Sequence, residues 1–145
     1  MKKLFLIILL FIITNNSWGQ TFKEAGFSLP NDVGMFKSQE NSYHAVKLGF
    51  CAINMRVKNI SDRRDEYMSF LKKIKQENET SHFEVIFYKG LRTYKCISYD
   101  KALESFVYTY FFCTDQRSYQ ISFCYSDFST VENFVKYCLN NFKLI

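Results

Sequence analysis

The sequence has little proline, glycine or histidine, and each shortage argues against a class of function. It holds one proline and five glycines, and the glycines are scattered, so no stretch resembles a phosphate-binding loop or a nucleotide fingerprint. It has no His-Glu-x-x-His, no Asp-rich calcium loop and no Gly-x-Ser-x-Gly elbow. The two histidines, His44 and His82, belong to no metal-binding or catalytic motif, and we expect no cofactor.

The chain also lacks a strong excess of charge. Its formal net charge is +5, and without Lys2 and Lys3 it falls to +3, since 17 basic and 14 acidic residues remain. So mild a charge does not predict binding to nucleic acid or to an anionic membrane. We therefore expect the partner to be another protein.

Residues 1–19 have the pattern of a secretory signal peptide. Lys2 and Lys3 precede an apolar block from Leu4 to Ile13, and the segment ends Ser17-Trp18-Gly19, with small residues at 17 and 19. The block is shorter than the roughly 20 residues of a membrane span, which favours a cleaved signal peptide. An uncleaved membrane anchor is the alternative. The pattern predicts cleavage near Gly19, a secreted or periplasmic protein, and a single domain over 20–145 without a stable membrane span.

Two segments have the 3.6-residue period of amphipathic helices. An earlier helix is predicted to start around Ser61 or Asp62 and to end in the polar stretch 76–81. Its apolar side is predicted to consist of Ile60, Tyr67, Met68, Leu71 and Ile74. Near the C-terminus a second apolar stripe is formed by Val131, Phe134, Val135, Cys138, Leu139 and Phe142.

Residues 106–125 are predicted to form a hairpin, because every second residue of its two arms is large and apolar. The polar residues from Thr114 to Arg117 suit the turn. Pairing Thr114 with Arg117 places Phe106 opposite Tyr125, so that the large residues share one face. The other face then carries mostly smaller or more polar residues, namely Val107, Thr109, Phe111, Cys113, Ser118, Gln120, Ser122 and Cys124.

The remaining strands complete a predicted α+β fold. They are placed at Phe22 to Leu29, His44 to about Val57, Phe83 to Tyr88 and Leu91 to Tyr99, with the last two joined by Lys89-Gly90. The order is β-β-α-β-β-β-β-α, and runs of adjacent strands favour antiparallel pairing. We predict an antiparallel β-sheet of about five to six strands with two helices packed on it.

Five cysteines allow disulfides in an oxidising compartment. They are Cys51, Cys96, Cys113, Cys124 and Cys138, and their spacing does not select a pairing. A bond between Cys113 and Cys124 is disfavoured, because the hairpin places them roughly 20 Å apart and a disulfide needs Cα atoms within about 7 Å. The alternative is that most of the five are buried small apolar residues. None belongs to a Cys-x-x-Cys motif, which argues against a thioredoxin-type site or a zinc ribbon.

Aromatic residues make up 19% of the chain, and they suit either a core or a binding surface. The strict alternation in the hairpin favours burial of its large residues. We therefore predict the binding surface at the hairpin turn and on the other face, at Phe111, Asp115 and Arg117. Phe70 and Tyr137, which lie off the apolar stripes of their helices, are further surface candidates.

The order of elements resembles the PsbP-like fold. The resemblance is carried by FSLP at Phe27 to Pro30, a middle helix, the aromatic hairpin, and a last helix that ends in NNFKL at Asn140 to Leu144. That family is named for an extrinsic subunit of the photosynthetic oxygen-evolving complex and includes small exported bacterial proteins. The Gly-Trp that often follows its opening proline is missing here. The resemblance implies a non-enzymatic accessory or binding role and transfers no functional residue to this sequence.

Three functions are compatible with these patterns. The first is a small exported, non-enzymatic binding or accessory protein that acts through a surface. The second is an inhibitor or immunity-type protein that neutralises a secreted toxin or enzyme. The third is a hydrolase or thiol enzyme whose residues, such as His44 or His82 with a cysteine, meet only in space. The lack of a catalytic motif favours the first.

Overall fold

The described part of the chain consists of ten strands and two α-helices. The structure is a computed structural model, and it describes residues 19–47, 51–77, 82–125 and 128–145. The helices are α1 (Arg63–Glu77) and α2 (Phe128–Asn141). The strands are β1 (Gln20–Phe22), β2 (Phe27–Leu29), β3 (Phe36–Gln39), β4 (Ser42–Lys47), β5 (Cys51–Asn59), β6 (His82–Tyr88), β7 (Leu91–Asp100), β8 (Ser105–Cys113), β9 (Arg117–Tyr125) and β10 (Lys143–Leu144).

The predicted signal peptide lies outside the described residues, apart from Gly19. Export and cleavage near Gly19 therefore stay predictions. Among the residues that are described, neither helix is long and apolar enough to cross a membrane.

All strands pair antiparallel, and they form two sheets. The large sheet has seven strands in the order β3-β4-β5-β9-β8-β7-β6, and the small sheet has the order β1-β2-β10. This confirms the predicted α+β class. The strands outnumber the predicted five to six because the run from His44 to Val57 contains two strands, β4 and β5. The predicted strand from Phe22 to Leu29 was wrong, because a 3₁₀-helix at Lys23–Ala25 separates β1 from β2. In addition, β3 and β10 are too short to show a period of two.

The hairpin of β8 and β9 has the predicted register. Phe106 pairs with Tyr125, and the Thr114 N–H donates to the Arg117 carbonyl at 2.9 Å across the turn. Of the eight large residues on the face predicted to be buried, only Phe106, at the end of the sheet, is exposed, at 38%. The alternation therefore indicated burial correctly.

The main core lies between the large sheet and a layer formed by α2 and the small sheet. Phe142, directly after α2, stacks on Phe27 of β2 with ring centroids 5.5 Å apart and meets Phe112 and Tyr119 edge-on at 6.0 Å. The Tyr119 hydroxyl donates to the Ala25 carbonyl at 2.9 Å, which ties the small sheet to the large one. The predicted stripe of α2 is confirmed by the burial of Val131, Val135, Cys138 and Phe142.

Helix α1 covers part of the opposite face of the large sheet. Phe70 of α1 stacks on Phe111 of β8 with ring centroids 4.2 Å apart, and each is 5% exposed. Tyr67 meets Tyr94 of β7 edge-on at 5.2 Å in the same cluster. The predicted apolar side of α1 was wrong in one place, because Phe70 faces the sheet while Met68 is 59% exposed.

The two short motifs of the PsbP-like resemblance are neighbours in the structure. FSLP forms β2 and the residue after it, whereas NNFKL ends α2 and forms β10. These strands pair with each other, with Leu144 opposite Phe27. Both motifs therefore belong to the small sheet that closes over the core.

Candidate functional site

Phe111, the central residue of the predicted binding surface, is buried. The prediction treated its face of the hairpin as open, but α1 packs on that face and covers Phe111 with Phe70. Phe70 is therefore not a surface residue either. Both predictions failed because a strand's own pattern does not show which helix will cover its second face.

Arg117 is half-buried against the segment between β1 and β2. Gly26 in this segment has a φ of 70°, and a Cβ atom at this position would lie 2.3 Å from Arg117 Nη1. Arg117 therefore packs against the turn at Gly26, and its role as a binding residue stays a prediction.

Asp115 is the one predicted binding residue that lies fully at the surface. Its side chain is 86% exposed, and its carboxylate accepts a hydrogen bond from Arg63 Nη1 at 3.0 Å. Arg63 is the first residue of α1. This ion pair connects the hairpin turn to the rim of a pocket that the sequence did not predict.

That pocket lies between the first turns of α1 and the hairpin of β6 and β7, and we call it the arginine pocket. Its volume is about 550 Å³. Helix α1 supplies two arginines and a methionine, while the hairpin supplies a phenylalanine and a third arginine. The lining residues are Arg63, Arg64, Tyr67, Met68, Leu71, Phe87, Gly90, Leu91, Arg92, Tyr94 and Cys113.

Tyr67 fixes the base of the arginine pocket. Its hydroxyl donates to the Arg92 carbonyl and accepts a hydrogen bond from the Cys113 N–H at 3.1 Å. Burial raises the pKa of Tyr67, so the phenol keeps the proton that it donates. One side chain of α1 is thereby bonded to two strands, β7 and β8.

The turn between β6 and β7 forms the opposite wall. Lys89 and Gly90 have φ angles of 50° and 76°, as both central residues of a type I′ turn require. The pairing that follows from this turn places Phe87 opposite Arg92. Phe87 is 79% exposed, more than any other large hydrophobic side chain in the described ranges.

The charge of the pocket is positive. Arg63 is paired with Asp115, whereas Arg64 and Arg92 form no ion pair with any residue that the structure describes. The Arg92 guanidinium lies 5.5 Å from the centre of the Tyr94 ring, a cation–π contact. Glu66, an acid in the first turn of α1, does not neutralise these arginines, because its carboxylate is bound to Lys58 at 2.7 Å. Two guanidinium groups are therefore left to bind an anion.

The pocket is continuous with an open edge of the large sheet. Strand β6 pairs with β7 on one side, and no described strand pairs with its other side. Val85 lies on the same face of β6 as Phe87 and is 46% exposed. The arginine pocket and this edge together form the candidate site.

A second hollow, of about 610 Å³, lies where α2 meets the small sheet. Tyr137 is 38% exposed there, as predicted, and its hydroxyl lies 2.9 Å from each carboxylate oxygen of Asp32. This hydrogen bond raises the pKa of Tyr137. Although this hollow is larger, its exposed tyrosine is bonded to Asp32, so we interpret the hollow as a joint between α2 and the segment after β2.

The five cysteines are all free thiols, so the structure does not contain the disulfides that the sequence allowed. Cys113 pairs with Ser118 and Cys124 with Val107, which confirms that these two cysteines lie far apart in the hairpin. Four of the five are buried as small apolar residues. Burial raises the thiol pKa to about 12 in Cys51, Cys113 and Cys138. Catalytic thiols need the opposite shift.

The two histidines lie on different strands near opposite edges of the large sheet. His82 Nε2 is 3.3 Å from Glu84 on the exposed strand β6, and the His44 ring of β4 is 6.2 Å from the Phe36 ring. Within the described ranges, no group of three histidine, cysteine or acidic side chains could hold a metal ion. These positions give no support to a catalytic pair of histidine and cysteine.

The fold and the site define an α+β domain with a cationic surface pocket. No family model matches the chain, and no curated protein matches it in sequence. A crystal structure of a protein from Bacteroides thetaiotaomicron is similar to it, with a TM-score of 0.62 and 11% sequence identity. The match covers 90% of this chain and 49% of that protein, so the chain spans about half the length of this neighbour. At this identity the likeness shows the fold alone.

Sequence reasoning missed the arginine pocket because its residues come from separate elements. Arg63 and Arg64 begin a helix that is recognised by its apolar side, and Arg92 lies in a strand. One signal was available: residues 83–88 are largely apolar on both faces, as interior strands are. At a sheet edge such a strand leaves apolar side chains exposed.

Proposed function

We propose that the protein is a small exported binding or accessory module that recognises a partner protein through the arginine pocket. The observation that carries this proposal is Phe87, which is 79% exposed at the rim of a pocket with two unpaired guanidinium groups in the described structure. A phenylalanine left in water forgoes roughly 1.5–3 kcal/mol of burial free energy, which a partner that covers it would recover.

The residue types of the pocket support this proposal. Aromatic residues, methionine and arginine are enriched at protein interfaces, and tyrosine and arginine often dominate the binding energy. Arg64 and Arg92 can each bind a carboxylate through two parallel hydrogen bonds. Met68, which is 59% exposed, adds a flexible apolar contact. These groups suit a partner that presents acids beside apolar side chains.

The remaining parts of the proposal rest on the sequence. Export is inferred from the signal-peptide pattern of residues 1–19, and the PsbP-like resemblance, which stays a prediction, favours a non-enzymatic role. A partner that is a secreted toxin or enzyme would make the protein an inhibitor or immunity-type protein. A thiol enzyme is disfavoured at Cys51, Cys113 and Cys138, because burial raises the pKa of these thiols.

Site-specific photo-crosslinking tests the proposed function. The photoreactive amino acid p-benzoylphenylalanine replaces Phe87 in the full chain, expressed in the organism that exports it. The matched control carries the same group in place of Phe36, which is 54% exposed on β3 at the other edge.

We expect one adduct of defined mass from position 87 and none from position 36. Replacing Arg64 and Arg92 with alanine should remove the adduct, because it removes the charges that attract the partner. Adducts from both positions alike, or from neither, would contradict the proposal.

A further inference from the structure

The backbone of β6 has hydrogen-bonding groups that no described strand uses. The two-residue turn at Lys89-Gly90 makes Tyr88 and Leu91 a hydrogen-bonded pair, and such pairs alternate along an antiparallel ladder. The groups that point to β7 are therefore those of His82, Glu84, Ile86 and Tyr88. The groups that point away from the sheet are those of Phe83, Val85 and Phe87.

Strand β6 also lacks several of the features that prevent edge strands from pairing. Prolines, lysines and bulges are the usual protection. β6 contains no proline or lysine and pairs with β7 over its full length without a shift in register. Val85 and Phe87 point to the face that carries the arginine pocket. An added strand would cover both of these apolar side chains.

The charge beside this edge selects the kind of strand. Arg92 lies opposite Phe87 in the register, and Arg64 lines the same pocket. Side chains on one face of a strand repeat every ~7 Å, so alternate residues of an added strand run along this face. Carboxylates at such positions would lie on the face that carries both guanidinium groups, with which carboxylates form charge-assisted hydrogen bonds.

A second copy of this chain matches the site less well. If two β6 strands paired antiparallel about Val85, the only acid that each would bring is Glu84. Glu84 lies on the other face of β6, where its carboxylate accepts a hydrogen bond from Lys95 at 3.2 Å. Self-pairing would therefore leave the pocket arginines without an acid.

We propose that the partner supplies an extended acidic segment that adds to β6 as a further strand of the large sheet. The backbone of the segment bonds Val85 and Phe87, its apolar side chains cover theirs, and its carboxylates bind Arg64 and Arg92. This inference rests on the function proposed above and specifies the chemistry of the partner.

Selection of random displayed peptides on the purified full chain tests this inference. We expect the selected peptides to carry aspartate or glutamate at alternate positions, with aliphatic or aromatic residues between them. Affinity for the best peptide should fall at least about ten-fold when Arg64 and Arg92 are both alanine, as for a central interface contact.

Backbone pairing is tested by Val85→Pro, with Val85→Thr as the matched control. Proline removes one outward N–H and keeps every hydrogen bond to β7, and edge strands accept proline at such positions. We expect at least about a ten-fold loss of peptide affinity for Val85→Pro and less than about three-fold for Val85→Thr, which retains the N–H. A circular dichroism spectrum and thermal unfolding show whether each variant folds.

Peptide N-methylation tests the same point without changing the protein. Methyl groups on the peptide amides that face β6 should abolish binding, whereas methyl groups on the alternate amides should leave it within about three-fold. Equal effects of the two methylation patterns would overturn the strand addition even if Val85→Pro failed to fold.

The outcomes separate this inference from the proposed function. If the arginine changes weaken binding but Val85→Pro and N-methylation do not, the pocket binds a partner and the added strand is wrong. If selection yields peptides without acids, or peptides insensitive to the arginine changes, the acidic segment is wrong. If no peptide is selected while position 87 still crosslinks to a protein, the inference fails and the function stands.

Discussion

The two edges of the large sheet are built differently. β3 has four residues, and its pairing with β4 shifts register between Lys37 and Gln39. β6 has seven residues, pairs with β7 without interruption and leaves Phe87 79% exposed. Because shortness, lysine and a bulge all prevent an edge from pairing with another chain, β3 is a protected edge and β6 is an open one.

The edges also differ in how their charges are used. At β3, Lys37 lies 3.6 Å from Glu24 of the same chain. Beside β6, Arg64 and Arg92 have no ion pair within the described structure. A long, regular edge strand and arginines without an ion pair therefore occur together at β6, whereas β3 is short and irregular and its lysine lies beside Glu24.

The largest effect is expected from the choice of position at which a proline is introduced into β6. Ile86→Pro removes an N–H that bonds β7, and we expect it to lower the free energy of unfolding by about 3 kcal/mol. Val85→Pro removes an outward N–H and should cost less than about 1 kcal/mol. Denaturant unfolding of the two variants measures the difference. Equal losses would show that the alternation along β6 is not as described.

A smaller effect is expected where α1 is bonded to β7 and β8. Tyr67→Phe removes the hydroxyl that donates to the Arg92 carbonyl and accepts from the Cys113 N–H. We expect this variant to lower the free energy of unfolding by about 1–3 kcal/mol. Tyr137→Phe is the matched control, because its hydroxyl bonds Asp32 at an exposed position and should cost less than about 0.5 kcal/mol. A loss of similar size in both variants would contradict the role of Tyr67 at the base of the arginine pocket.

Replacing one exposed phenylalanine at each edge with lysine should separate the effect on partner binding from the effect on the stability of the fold. Phe87→Lys and Phe36→Lys both replace exposed rings, so we expect each to change the unfolding free energy by no more than about 0.5 kcal/mol. Only Phe87→Lys should abolish capture of the partner or the selected peptide, as measured by anisotropy. If Phe36→Lys abolished it as well, the contrast between the edges would have no functional meaning.

The smallest effect is a pH dependence from Glu84 on β6. The hydrogen bond from Lys95, helped by His82, lowers the pKa of Glu84 below its ordinary value of 4.5. A carboxylate with a lowered pKa stabilises the fold above its ordinary pKa, and this contribution is lost as the pH falls through the folded value. Below about pH 4.5, the Tm of the wild-type protein should therefore fall slightly more steeply with pH than the Tm of Glu84→Gln. Above this pH, the two Tm curves should run in parallel. Parallel curves throughout would contradict this shift.

The sequence predicted local structure well and the site poorly, for a physical reason. The register of β8 and β9 follows from a period of two and a four-residue turn, so Phe106 and Tyr125 could be paired correctly. Which element covers a second face is decided by tertiary packing, and for this reason the burial of Phe111 under α1 was missed. The open edge also depends on tertiary pairing. Strand β5 pairs with β9, which is distant in the sequence, and β6 is therefore the last strand of the sheet.

The most direct measurement is amide NMR of the wild-type protein during titration with a selected acidic peptide. We expect the outward amides of Phe83, Val85 and Phe87 to shift and to become protected from exchange, while those of Phe36 and Lys37 in β3 do not change. Shifts centred on β3, or binding that leaves the β6 amides unaffected, would contradict this expectation.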